Sequence, residues 1–208
     1  PYSTGKTHLY KVGVRVVKKV RFSTFNFNDG NKICFVDGVN DPLIYDGGTS
    51  WDFITATGAG TKADPGGPML AEVEKPSLVE VFKNHLFLGG DRGKLGVVAH
   101  SAPNDVYNFN AAPGAGQLDI GFDAIQLKPF RDSLFIFGEN AIKRAGPNAD
   151  TSTSGTNPFL LDQITTNVGC IAPDSVLELG GDLVFLAPDG LRPVAGTSRI
   201  GDVELETI

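Results

Sequence analysis

At 208 residues, with 18 Lys and Arg against 24 Asp and Glu for a net charge of −6, the chain is long enough for a buried core but carries no global basic field. That balance excludes a protein whose main work is gripping a nucleic-acid backbone through phosphate contacts. With 26 Gly, 13 Pro, one Met and 14 Phe, the composition favours short β-strands joined by turns over long helices.

No apolar run approaches the ~20 residues of a membrane helix, and no signal-peptide pattern opens the chain. The chain begins at Pro1 without an initiator Met, so it is expected to be a processed product or part of a longer polypeptide. Cys34 and Cys170 lie far apart in apolar or turn surroundings, outside any short metal-ligand spacing, and read as buried small hydrophobes.

In chain order, Gly5, Lys6 and Thr7 spell the end of a phosphate-binding loop, but the partner glycine is missing and no helical pattern succeeds it, so an ordinary turn is expected. Residues 9–22 alternate valines with Lys11, Arg15, Lys18, Lys19 and Arg21, which predicts a strand with one wet basic face. This N-terminal strand segment, residues 1–24, is set apart from the blade-forming remainder, residues 25–208.

From Phe25 onward a unit recurs. Apolar runs begin at Ile33, Leu86, Leu134 and Leu183, a spacing of 48 to 53 residues. Each comes after a tight turn: Asn28 to Asn31, Lys83 to His85, Arg131 to Ser133, and Gly180 to Asp182. A better-alternating strand precedes each turn, around Asn26, Glu80, Gln126 and Glu178. A second turn and a further strand come after each run. Between units, residues 55–68, 110–121 and 145–158 are rich in Gly, Pro, Ser and Thr and predict exposed, mobile loops.

A period near 50 residues built of short antiparallel strands predicts an all-β fold of β-propeller-like radial blades, about four of them, as a small closed ring or as part of a larger one. Strands covered on both faces by neighbouring blades read as continuously apolar, which is how the four runs read.

Candidate chemistry is sparse. Asp46, Gly48, Ser50 and Trp51 resemble the Asp-box hairpin of sialidase-like propellers, a structural element with an aromatic plug, although Ile44 replaces its usual hydroxyl residue. This motif and exposed aromatics such as Trp51 and Tyr107 motivate an alternative reading, a glycan-binding or sialidase-like propeller. Against it, Arg92, Arg131, Arg144, Arg192 and Arg199 occupy no common position in the unit. His85 and His100 are conceivable bases, with Asp91, Asp105 or Asp123 to orient them. His85, however, falls at the turn position held elsewhere by Asn31, Ser133 and Asp182, and nothing requires His100 for assembly, so that His100→Ala is expected to be silent there. No catalytic, cofactor-binding or metal site is assigned.

Three stretches in order resemble the tail tubular protein B, or tail nozzle, family of short-tailed bacteriophages, relatives of the tail proteins called DNA-stabilisation proteins. HLFLGGDRGKLGVVAHSAPNDVYNF carries a Ser101, Pro103, Asn104, Asp105 turn closed by Phe109, expected to link blades. DAIQLKPFRDSLFIFGENAIKRAG comes next, and then NVGCIAPDSVLELGGDLVFLAPDGLRPVAG with Gly169, Cys170, Pro173 and Ser175. Together they cover roughly residues 77–197. The resemblance implies a non-enzymatic virion protein of the tail, a homo-oligomeric ring, hexameric in the family, that contacts a tail adaptor protein and tail fibres. DNA would pass its channel without sequence-specific binding, and no cofactor or small-molecule substrate is implied. Members of the family are considerably longer than this chain.

Overall fold

A computed structural model describes residues 19–27, 30–48, 51–94, 96–149 and 157–197. The fold is all-β, four small antiparallel sheets in which each strand pairs with its neighbour in sequence. The first sheet holds β1 (Arg21–Asn26), β2 (Asn31–Val36), β3 (Leu43–Tyr45) and β4 (Trp51–Phe53). The second holds β5 (Leu78–Phe82), β6 (His85–Gly89), β7 (Val97–His100) and β8 (Gly116–Asp119). The third holds β9 (Gln126–Phe130), β10 (Ser133–Phe137), β11 (Ile142–Pro147) and β12 (Phe159–Thr165). The fourth has three strands, β13 (Leu177–Leu179), β14 (Asp182–Ala187) and β15 (Gly190–Pro193), and then a single helical turn, α1 (Val194–Thr197).

Each recurrent apolar run is therefore the second strand of a sheet, and the strand ahead of it is the first. The joining turns are forced by tight pairing. Phe82 faces His85 across Lys83 and Asn84, Phe130 faces Ser133 across Arg131 and Asp132, and Leu179 faces Asp182 across Gly180 and Gly181. Lys83, Asn84, Arg131, Gly180 and Gly181 all adopt positive φ, as two-residue hairpin turns matched to strand twist demand. His85 is not a turn residue: it opens β6 and is buried.

Residues 5–7 and most of the predicted 9–22 strand lie outside the described residues, as do Asn28, Asp29, Ser50 and Arg199. The strand that is described there, β1, crosses the division expected between residues 24 and 25. Residues 110–121 are no loop throughout, since Gly116–Asp119 is β8, and 145–158 begins inside β11. The Ser101 to Asp105 turn joins β7 to β8 within one sheet rather than linking two.

Three apolar clusters lie between consecutive sheets. Phe25, Cys34, Val36 and Ile44 of the first sheet meet Val79, Leu86, Leu88 and Ala99 of the second. The other face of the second sheet, with Leu78, Phe82, Phe87 and Val98, meets Leu127, Leu134, Ile136 and Phe159 of the third. Phe135 and Phe137 then meet Leu183, Phe185 and Ala187 of the fourth. The first strands come close together as well, β1 against β5 and β5 against β9.

Connecting segments are worked into this stack. Residues 55–68 are exposed only in part: Gly58, Gly60 and Pro65 to Gly67 are buried. Gly66 runs between two backbones, bridging Thr55 on one side and Asn108 on the other. Its N–H donates to the Tyr107 carbonyl at 2.8 Å, and its carbonyl accepts from Phe109 N–H at 2.9 Å. Its φ is +131°, and a Cβ there would overlap the Thr55 carbonyl oxygen. Glycine is required on both counts. The loop thus fastens the first sheet to the Ser101 to Phe109 turn of the second. The segment from the third sheet to the fourth is stitched similarly, with Cys170 N–H on the Gly138 carbonyl and Ile171 N–H on that of Leu186, both at 2.9 Å.

Gly66→Ala is expected to cost about 3 kcal/mol or to abolish folding, through strain and overlap with fixed backbone. Gly146→Ala, where nothing lies within 4 Å of the added carbon, should stay within about 0.5 kcal/mol of the parent. Urea denaturation of the pair provides the comparison. Phe87→Asp, which puts a carboxylate at a position of 0 % exposure, should yield no cooperative unfolding transition at all.

Candidate functional site

The most polar part of the interior is a cluster at one end of the second sheet, where His85, His100 and Ser101 are buried. β6 and β7 hold the two histidines edge to face, their ring centroids 5.2 Å apart, and the Phe159 ring stands about 5 Å from both, at 4.9 and 5.0 Å. The Ser101 carbonyl lies 2.6 Å from His85 Nδ1 and 3.1 Å from His100 Nδ1. His100 Nε2 lies 3.1 Å from Asn157 Oδ1.

The amide of Asn157 is oriented by its other bonds: Nδ2 donates to the Gln117 carbonyl at 2.8 Å, and Oδ1 accepts from Phe159 N–H at 3.0 Å. The Asn157 oxygen and the Ser101 carbonyl thus both face His100 as acceptors, so the neutral ring donates to one of them at a time, while His85 donates from Nδ1 to Ser101. Asn157 in this way ties β7 and β8 of the second sheet to the start of β12 in the third.

This arrangement holds two sheets together. Ser101 Oγ is committed, accepting from Leu86 N–H and donating to the Ala102 carbonyl, each at 3.0 Å. None of the three expected orienting carboxylates bonds a histidine. Asp91 accepts from Lys75 N–H at 2.8 Å and Gly93 N–H at 3.0 Å, Asp105 from Tyr107 N–H at 3.0 Å, and Asp123 sits near Arg92 and Glu139. Burial lowers the basicity of both histidines, His100 to a pKa of about 4, with the neighbouring His85 adding to the effect. His100→Ala, expected above to leave assembly intact, removes a ring of 0 % exposure that contacts Asn157; its loss would open a cavity and leave the Asn157 amide oxygen with the Phe159 N–H as its partner.

A second charged region forms where the first strands converge. Arg21 donates from Nη1 to the Ser77 carbonyl at 3.1 Å and from Nη2 to Asp174 Oδ1 at 3.4 Å, and Lys19 also pairs with Asp174. These bonds, that of Lys19 first, hold the Asp174 carboxyl below its usual range. Asp37, Arg92 and Asp123 line the same groove, so the signs are mixed and no cationic cradle for phosphate results. Burial raises the Asp123 carboxyl there.

The remaining candidates prove local. Asp46 accepts from Gly48 N–H at 3.0 Å in the β3 to β4 hairpin, as an Asp-box would, but Trp51 stacks on Tyr45 at 4.3 Å on the outer face of the first sheet, so it is no core plug. Arg131 donates to the Gly181 carbonyl at 2.6 Å, Arg144 pairs with Asp162 at 2.7 Å, and Arg192 pairs with Asp189. Both cysteines are free and buried; burial pushes the Cys34 thiol far up, and Cys170 Sγ donates to the Ala172 carbonyl at 3.0 Å. Among the described residues no three His, Cys, Asp or Glu side chains gather as a metal site, and no helix is long and apolar enough to cross a membrane. Asn157 was missed by sequence reasoning, its only signal being an amide at the edge of a Ser and Thr rich stretch.

No protein-family model matches the chain, and no curated protein matches it.

The histidine cluster predicts an acid-sensitive fold. With the folded-state pKa of His100 near 4 against an ordinary 6.5, the stability of keeping it neutral is fully present above pH 6.5 and is lost as pH falls through 4, by on the order of 3 kcal/mol. Urea midpoints measured from pH 7 to pH 4 should fall steeply for the parent and distinctly less for His100→Gln. Equal slopes would show that His100 is not the group that titrates.

Proposed function

We propose that the chain is a structural virion protein of a short phage tail, a ring or nozzle subunit whose sheets are blades of a β-propeller around the DNA exit channel. The observation that carries this reading is the stack of four meander sheets, joined face to face with neighbouring first strands, whose polar and titratable groups are spent on holding sheets together. Blades arranged radially would place first strands at the centre, in keeping with the contacts of β1 with β5 and of β5 with β9. The three ordered segments that resemble the nozzle family fall on described sheets: the first on the second sheet, the next on β9 to β11, and the last on the link to the fourth sheet and its strands.

In this reading copies associate as a homo-oligomeric ring, a hexamer by resemblance, with a tail adaptor protein and tail fibres as further partners. Its location is the virion tail. The role is non-enzymatic and calls for no cofactor or small-molecule substrate. The net charge of −6 suits a wall past which DNA slides without sequence-specific contacts, since trapping phosphates would slow its passage.

The test is to raise antibodies against the chain and apply them to purified short-tailed particles of the phage that encodes it. Gold label at the distal end of the tail is expected in electron micrographs. Particles that carry no label, together with binding of the purified chain on a glycan array, would replace this reading with the glycan-binding alternative.

A further inference from the structure

The two inner sheets and the two end sheets are buried differently, although their sequences are alike. β6 is buried at all five positions and β10 at four of its five, because each lies between two other sheets. β14 throughout, and β2 after its exposed first residue Asn31, alternate instead between buried and half-buried positions. Yet Ile33 to Val36 and Leu183 to Leu186 are apolar on both faces, a pattern suited to strands covered on both sides. Among the described residues, therefore, each end sheet has one apolar face with no sheet upon it.

On the first sheet that face carries an aromatic row: Phe22, 64 % exposed, lies 6.2 Å from Phe35, Phe35 lies 6.0 Å from Trp51, and Trp51 stacks on Tyr45. On the fourth sheet it carries Leu177, Leu179 and Leu191 at 46, 64 and 70 % exposure, with Val184 and Leu186 half-buried between them.

The two faces differ in kind. Leu179 closes the first turn of its sheet opposite Asp182, as Phe82 does opposite His85 and Phe130 opposite Ser133. Phe82 packs forward onto the third sheet and Phe130 forward onto the fourth. The open face of the fourth sheet is thus the forward face, the side that each earlier sheet packs onto its successor. The open face of the first sheet is the backward face, the side that each later sheet packs onto its predecessor. A second copy presents the face that each end lacks, whereas two like ends would bring together surfaces that do not meet among the described sheets.

We infer that copies of this chain associate head to tail, the outer face of the fourth sheet of one copy packing on the outer face of the first sheet of the next. Such a contact is heterologous, and repeated it closes into a ring or continues as a filament according to the rotation it imposes. First strand meets first strand, so Leu179 of one copy faces Phe22 of the next. The inference rests on the proposed ring for the expectation that copies associate; the choice of faces comes from the burial pattern and can fail by itself.

The experiment uses the full chain as Phe22→Cys and Leu179→Cys single variants. The native Cys34 and Cys170 are at 0 % exposure and stay silent in the folded protein. Under mild oxidation an equimolar mixture should give a disulfide-linked dimer containing one of each variant, and either variant alone should give far less. Equal cross-linking of Leu179→Cys with itself would overturn the head-to-tail contact in favour of a two-fold one.

Sedimentation velocity adds the second measurement. Phe22→Lys and Leu179→Lys, both at exposed sites that keep the parent circular dichroism, should each raise the dissociation constant at least about tenfold. Oligomers unchanged by either variant would overturn the assignment of faces while leaving a ring intact. A parent chain that stays monomeric at every concentration would overturn both the faces and the ring.

Discussion

Each sheet of this chain is too small to be stable alone. Strands of three to seven residues, three or four to a sheet, bury little within their own plane, and an isolated meander of that size is marginal in water. What stabilises one sheet is the face of the next. Complete burial of a side chain such as Phe87 contributes roughly 2 to 3 kcal/mol relative to leaving it in water, and the central strands β6 and β10 collect such contributions from both sides. The fold depends on continuity of stacking, and the turns, loops and polar ties arise from the need to keep neighbouring sheets in register.

Two devices do that at the junction of the first three sheets. Gly66 lets three backbones approach more closely than any side chain would allow, fixing the exit of the first sheet against the Ser101 to Phe109 turn. His100 and Asn157 fix that turn's neighbourhood to the third sheet by a directional bond inside an aromatic cluster. Packing of Leu and Phe alone is tolerant of small slips; a buried amide with its bonds oriented is not, because a slip would leave it unpaired where water cannot reach. The cost is sensitivity to acid, a consequence of burying two imidazoles that stay neutral only while the solvent is not strongly protonating.

The parts of this architecture that were legible in the sequence are those governed by local chemistry. Lys83 with Asn84, Arg131 with Asp132, and Gly180 with Gly181 announce two-residue turns, and the apolar runs after them announce second strands. The fourth strands β4, β8 and β12 were not read, since WDF, GQLD and FLLDQIT carry weak or mixed patterns and sit beside Gly, Pro and Ser rich stretches. Those stretches misled in another way: the composition that permits an exposed loop also permits a tight backbone crossing, and residues 55–68 do both. At the candidate site, the engagement of His100 with a residue 57 positions away had no local signature. Asp91 and Asp105 are bonded to backbone N–H groups of their own turns and Asp123 lies beside Arg92 and Glu139, an arrangement away from the histidines that no local pattern announced.

The charged contacts between sheets explain why stacking, rather than ion pairing, decides how the sheets associate. Lys83 meets Asp132 at 2.8 Å across neighbouring turns, and Lys19 and Arg21 meet Asp174 where first strands converge. These pairs lie at or near the surface, where such bridges contribute little and salt screens them. They suit a role in fixing the order and angle of sheets whose cohesion is apolar. The same division carries over to the open ends: the outer face of the first sheet offers rings, and that of the fourth offers leucines around Asp182 and Val184. An association built from those faces draws its strength from buried apolar area, so it should persist at salt concentrations that remove the surface pairs, and weaken on cooling as hydrophobic contacts do.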